Sequence, residues 1–234
     1  AVRSARADVS LNKFLRGIFM SRHYIDTFTC PECLQEGDIQ IWSSINTMLD
    51  PEMKEKVRTG EAFMWECPHC GYKVPVVYAT LYHQMEDKIM IYFVEDKVEA
   101  VEMIKRLSGE GEDDFDILGD FYEADYTIRV VDSIGKFREK LKTFDEKLDD
   151  RVMELTKAFL RYKLLLSDPG VKIKEFLFDT TADGTKLFSL LLDDGSRASI
   201  DYEEDLYDSV KNNFKEIIDT DENFIIDSEW ADNI

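Results

Sequence analysis

Four cysteines stand in two pairs, Cys30-Pro31-Glu32-Cys33 and Cys67-Pro68-His69-Cys70, with 33 residues between the pairs and no thiol left over. A two-residue spacer lets both sulfurs of one tight turn face a single point, so each pair is half of a site. Two such turns supply four soft thiolates, the donor set that tetrahedral zinc prefers at about 2.3 Å per bond. Other uses of paired cysteines compete with this one. A redox dithiol needs only one pair, usually opening a helix in a βαβ unit. Two disulfides need an oxidising compartment, and iron in a rubredoxin-like site takes the same four sulfurs. Duplication with the same proline in both turns favours metal, and zinc over iron. The expectation is one structural Zn2+ per chain held by Cys30, Cys33, Cys67 and Cys70. With sulfur at every position, such an ion has no place for water or substrate and catalyses nothing.

The elements around these turns must bring them together. The second turn runs into Gly71, which can take positive φ as the chain leaves the knuckle; the first has no glycine at that place, and Gly37 comes four residues after Cys33. Between the pairs, residues 38–42 alternate as a strand, Asp50 and Pro51 form the opening signature of a short helix, and Gly60 can close it. Residues 62–66 return as a strand into the second turn, 74–81 leave it as another, and 89–94 form a third apolar run. The pattern predicts a zinc-ribbon-like antiparallel β module with an inserted helix over residues 20–96. Its core is small, so zinc should contribute on the order of 10 kcal/mol to its folding.

The two Cys-Pro-x-Cys turns, the segment Asp50-Pro51-Glu52-Met53-Lys54 between them, and Leu81-Tyr82-His83 and Ile89-Met90-Ile91-Tyr92 behind them resemble the CpXC family of bacterial and archaeal proteins. The resemblance covers about residues 24–95. It extends more loosely over 128–155, through Val131-Asp132-Ser133 and Leu148-Asp149-Asp150-Arg151-Val152. It implies zinc binding through the four cysteines and brings no catalytic residue with it.

Beyond residue 96 the period changes to that of helices. Val98, Val101, Ile104 and Leu107 mark one, and residues 108–116 form an acidic, glycine-containing loop. Residues 126–131 read as a strand, followed by a helix with Ile134, Phe137, Leu141 and Phe144 on one face. In the next helix Leu148, Val152, Leu155, Phe159, Tyr162 and Leu166 alternate at spacings of four and three, a heptad-like stripe. That stripe suits packing inside the domain, and it could also pair with a second copy of the chain. Ser167-Asp168-Pro169-Gly170 ends the helix, and the domain boundary is expected there, with 97–167 packing on the ribbon. Residues 168–234 should form a small acidic domain: three strands joined at Asp183-Gly184 and Asp194-Gly195, then a helix carrying Leu206, Val210, Phe214 and Ile217. The fold class is α+β.

The chain has 234 residues, 49 acidic and 29 basic, for a net charge of -20. Such a chain is repelled by phosphate backbones and anionic lipids, which disfavours nucleic acid and membrane partners and leaves a protein partner. A nucleic-acid-binding ribbon would need Lys54, Lys56, Arg58, Lys73 and Lys88 gathered on one surface. Residues 1–19 run the other way, with Arg3, Arg6, Lys13 and Arg16 against Asp8 alone, and read as a terminal extension before Met20. Neither a membrane-length apolar run nor a secretory h-region is present, so the cytoplasm is the expected compartment. The usual enzyme signatures, HExxH, GxGxxG, GxxxxGK[ST] and GxSxG, are absent from the sequence. Two further groups merit attention. His69, inside a turn, could donate to a thiolate or face solvent. Tyr82 and His83 could form an exposed aromatic-imidazole pair for recognition or, in an unrecognised enzyme or zinc-dithiol switch, line a cleft.

Overall fold

The computed structural model describes residues 20–107 and 125–234, so the terminal extension 1–19 and the acidic loop 108–116 lie outside the described residues. The chain divides into two compact units, Ala1–Ile134 and Gly135–Ile234.

In the first unit β1 (Arg22–Thr29) and β2 (Glu36–Asn46) precede helix α1 (Glu52–Thr59) and a small hairpin of β3 (Met64–Glu66) and β4 (Lys73–Pro75). β5 (Thr80–Gln84), β6 (Ile89–Phe93), helix α2 (Lys97–Leu107) and β7 (Thr127–Val131) follow. Five strands make one sheet in the order β1-β2-β5-β6-β7. β1 and β5 run antiparallel to β2 and β6 respectively, whereas the β2·β5 and β6·β7 pairs are parallel. For residues 20–96 the sequence predicts antiparallel pairing, which the parallel β2·β5 pair departs from. Parallel neighbours require a crossover of a dozen or more residues, and both connections have that length: one carries α1 and the β3–β4 hairpin, the other α2.

Local chemistry accounts for the elements. α1 starts after Pro51 (φ -63°), turns Met53 and Val57 inward four residues apart, and ends at Gly60 with φ 84°. β6 is an unbroken apolar run and is buried along its whole length. β5 is buried throughout too, although it contains Thr80, Tyr82, His83 and Gln84, so its polar groups need partners. The Tyr82 hydroxyl donates to Gln84 Oε1 at 2.7 Å. The Thr80 hydroxyl donates to the Trp42 carbonyl, the Gln84 amide to Asp87, and His83 Nε2 lies 3.1 Å from the Tyr126 hydroxyl.

The β1–β2 hairpin outruns the sheet. β1 pairs with β2 from Ser44 down to Glu36, but β5 pairs with β2 only at Ser44, Ile45 and Asn46. The outer part of the hairpin therefore runs past β5 as a two-stranded arm, and the first cysteine pair sits at its tip.

The second unit contains α3 (Ile134–Asp145), α4 (Asp150–Ser167), β8 (Ile173–Thr180), β9 (Lys186–Leu192), β10 (Arg197–Asp201) and the helices α5 (Glu204–Asn213), α6 (Lys215–Thr220) and α7 (Ser228–Asp232). Its antiparallel sheet has the order β10-β9-β8, with the two Asp-Gly turns placing Gly184 and Gly195 at φ 84°. The single C-terminal helix expected from the periodicity is two, α5 and α6, meeting at Phe214. α4 opens on Asp149, whose carboxylate accepts from the Arg151 amide at 2.9 Å.

Val152, Met153 and Leu155 of α4 share one core with Phe178, Phe188, Tyr207 and Val210. The two compact units meet at the first residue of α3, and the apolar face of α4 is buried against the C-terminal strands and helix. The heptad-like stripe splits accordingly: Val152 and Leu155 enter this core, while Phe159, Tyr162 and Leu166 are exposed. Among the described residues no helix is long and apolar enough to cross a membrane.

Candidate metal centre

The two cysteine pairs occupy the tips of two hairpins, β1–β2 and β3–β4, and both tips fold the same way. In the first, the Cys30 amide donates to the Gln35 carbonyl and the Leu34 amide to the Cys30 carbonyl, each at 2.9 Å. In the second, the Cys67 amide donates to the Tyr72 carbonyl at 2.9 Å and the Gly71 amide to the Cys67 carbonyl at 3.0 Å. The residue after each second cysteine is left-handed: Leu34 at φ 60° and Gly71 at φ 74°. The second turn has the glycine that this conformation favours, whereas the first forces a leucine into it.

The four sulfurs converge. Cys30 Sγ lies 3.7 Å from Cys70 Sγ and Cys33 Sγ 3.6 Å from Cys67 Sγ, and all four lie within 4.8 Å of one another. A tetrahedron with arms of about 2.3 Å has edges of about 3.8 Å, so the cross-hairpin spacings fit four thiolates around one ion. Cys30 and Cys67 are buried, Cys33 is half-buried and Cys70 is exposed. Desolvation raises the Cys67 thiol, but the backbone amides of Cys70 and His69 and the neighbouring thiols outweigh it and bring it down to about 6. The Tyr72 amide pulls the Cys70 thiol down, yet desolvation and the three other sulfurs push it up to about 12. Cys67 and Cys70 thus ionise far apart, the behaviour of crowded thiols that share a deficit of positive charge.

Contacts other than sulfur hold the hairpins face to face. Trp65 of β3 donates from Nε1 to the Asp38 carbonyl of β2 at 2.9 Å, and its ring meets Phe28 of β1 edge-on at 4.9 Å. Gly37 lies directly against Pro68: a β-carbon there would fall 2.8 Å from Pro68 Cδ and 3.0 Å from Trp65 Cζ2. His69 Nε2 is 3.0 Å from the Glu36 carbonyl. A carbonyl only accepts, so in this bond Nε2 donates, and His69 ties one hairpin to the other.

The sequence profile described as CpXC protein matches residues 28–157, more than half of the chain, and takes in both cysteine pairs. The chain belongs to the CpXC family. No curated protein and no solved structure matches it. In this CpXC chain the matched segment contains the whole cysteine centre, continues through the five-stranded sheet and ends within α4.

Tyr82 and His83, expected as an exposed pair, are wholly buried in the middle strand of the CpXC sheet and bonded to Gln84 and Tyr126. A strand with neighbours on both sides and every side chain buried leaves neither residue outside. Of the basic residues considered for a nucleic-acid surface, Lys54 pairs with Glu86 at 3.1 Å and Asp87 at 3.5 Å, and Lys73 with Glu66 at 3.0 Å. Leu34 and Trp65 escaped the reading of the sequence, and Gly37 was noted there only as a displaced turn glycine. Leu34 could have been found by aligning the two turns, since it occupies the position of Gly71.

Proposed function

We propose that Cys30, Cys33, Cys67 and Cys70 hold one zinc ion in a closed structural centre of the zinc-ribbon kind, and that the two clamped hairpins form a rigid platform for recognising another protein. The observation that carries this reading is the convergence of four sulfurs from two separate hairpin tips at 3.6–3.7 Å across the pair. Zinc in a four-sulfur cage is coordinatively full, so its role is to hold backbone in place. The arm of β1–β2 that extends past β5 meets the short β3–β4 hairpin through Phe28, Gly37, Trp65 and Pro68, and between elements this small an ion contributes most. The net charge of -20 suits a basic protein partner, and the pairing of Lys54 and Lys73 with carboxylates argues against nucleic acid. Cysteines that are to hold an ion must stay reduced, which suits a compartment such as the cytoplasm.

Metal analysis of the full chain purified without added metal tests the centre. The expected result is about one zinc per chain, released by a strong chelator with loss of the hairpin signals in NMR spectra. Chain that carries iron, or none of either metal, refutes zinc. The platform is tested by capture from the native cells with the metal-loaded chain against Cys67→Ser. A protein retained by the former alone supports it, and retention of nucleic acid in its place refutes it.

A further inference from the structure

Between α3, α4 and β8 the second unit buries five charged side chains, none more than 6% exposed: Glu139 and Lys140 of α3, and Asp150, Glu154 and Lys157 of α4. Lys140 Nζ lies 2.9 Å from Asp150 Oδ2 and 3.6 Å from Glu154 Oε1. Lys157 Nζ lies 2.7 Å from Glu139 Oε1 and 2.8 Å from Glu154 Oε1, and also donates to the Phe176 carbonyl at 3.2 Å. Among these five side chains three carboxylates face two ammonium groups, so full ionisation leaves the five with one negative charge in excess; the Arg151 guanidinium, which pairs with Asp149, also acts on Asp150.

The imbalance has an address. Glu139 Oε1 accepts from Lys157 and, at 2.7 Å, from the Phe178 amide of β8, but Glu139 Oε2 is buried without a hydrogen-bond partner. An ionised carboxylate with one bare oxygen in a low-dielectric interior is far costlier than a neutral carboxyl in the same place. We propose that Glu139 carries a proton at neutral pH, so that the α3–α4 charge cluster is neutral overall and the stability of the second unit falls as pH rises.

Burial pushes the Glu139 carboxyl up; Lys157 and Lys140 oppose the rise and Glu154 adds to it. From β8 the Phe178 amide donates to Glu139 Oε1, and the Phe176 carbonyl accepts from Lys157. Lys142 and Asp179, which also join α3 to β8, form an ion pair that is partly exposed. Above the ordinary glutamate value of about 4.3, the folded chain holds one proton more than the unfolded chain. Stability is therefore full below that value and is lost as pH rises towards the elevated one, with the unfolding equilibrium constant rising about tenfold per pH unit. Lys157 is also raised, by Glu139 and Glu154 against its desolvation, so it loses its own contribution only at alkaline pH, outside this window.

The test is an NMR titration of glutamate Cδ in the 13C-labelled full chain, run beside Glu139→Gln, which keeps the acceptor for the Phe178 amide and removes the titrating proton. One glutamate carboxyl neutral at pH 7 in the wild type and missing from the variant is the expected result. Urea midpoints of the second unit, read by NMR, should fall between pH 5 and pH 8 in the wild type more steeply than in Glu139→Gln. A wild-type spectrum with every glutamate ionised at pH 7 overturns the proposal, whether the charge is left bare or met by a cation. So does a neutral resonance that persists in the variant, since the proton would then belong to another glutamate.

Discussion

Replacing Leu34 by glycine should tighten the metal centre. Leu34 sits at φ 60°, in the left-handed region, directly after Cys33. A residue with a side chain pays about 1–2 kcal/mol to stay there. Its side chain is 76% exposed, so removing it forfeits almost no buried apolar surface. Glycine relieves the strain but gives back about 0.5–1 kcal/mol through the greater freedom of the unfolded chain. The balance is about 0.5–1 kcal/mol in favour of Leu34→Gly, and because metal binding and folding of the turn are coupled, this reads as about a two- to fivefold gain in apparent zinc affinity. The mirror experiment is Gly71→Ala, at φ 74° with nothing within 4 Å of the added β-carbon. That change meets no clash, so its cost of about 1 kcal/mol, about fivefold in affinity, comes from the backbone alone. Competition against a chromophoric chelator measures both variants under one condition. Weaker binding by Leu34→Gly, or an unchanged affinity in Gly71→Ala, would show that the two turns are not equivalent parts of one centre.

Other changes test the contacts around the centre and the buried charges. Gly37→Ala drives a β-carbon to 2.8 Å from Pro68 and forces the hairpins apart; the expected cost is about 1–3 kcal/mol, seen as a lower Tm and faster loss of zinc to the chelator. Lys157→Met strands the buried Glu154 carboxylate, 2.8 Å from the ammonium, and takes from Glu139 Oε1 the donor it has at 2.7 Å. Breaking a buried pair from one side costs about 3–5 kcal/mol, and urea unfolding of the second unit should move down by a corresponding amount.

What could be read from the sequence was what is local. The cysteine turns, the close of α1 at Gly60, the Asp-Gly hairpins and the strand identities of β6, β8, β9 and β10 each depend on a few adjacent residues. The placing of strands was hidden, because whether β2 lies beside β5 in parallel depends on how a crossover of more than thirty residues folds back. That same placing buried Tyr82 and His83, whose polar character had suggested a surface. The buried cluster was hidden for a different reason: Glu139, Lys140, Asp150, Glu154 and Lys157 have the composition of a solvated face. A signal was nonetheless present, since Asp150, Glu154 and Lys157 recur at spacings of four and three beside the apolar stripe of α4. Gly37 drew notice as a turn residue, but its purpose, room for Pro68 from a turn 31 residues further on, shows only when both hairpins are in place.

The location of each half-site on its own hairpin has a consequence during synthesis. The strands that present Cys30 and Cys33 are complete by Asn46, before the second pair has been made. At about 5–20 residues per second, a ribosome needs about 2–7 s to travel from Cys33 to Cys67. For that interval the nascent chain displays a bidentate thiol loop able to catch an ion loosely, or to be oxidised, and arrival of the later loop completes the cage. Supply of zinc and of reductant while the chain is being translated would then set the yield of correctly assembled protein.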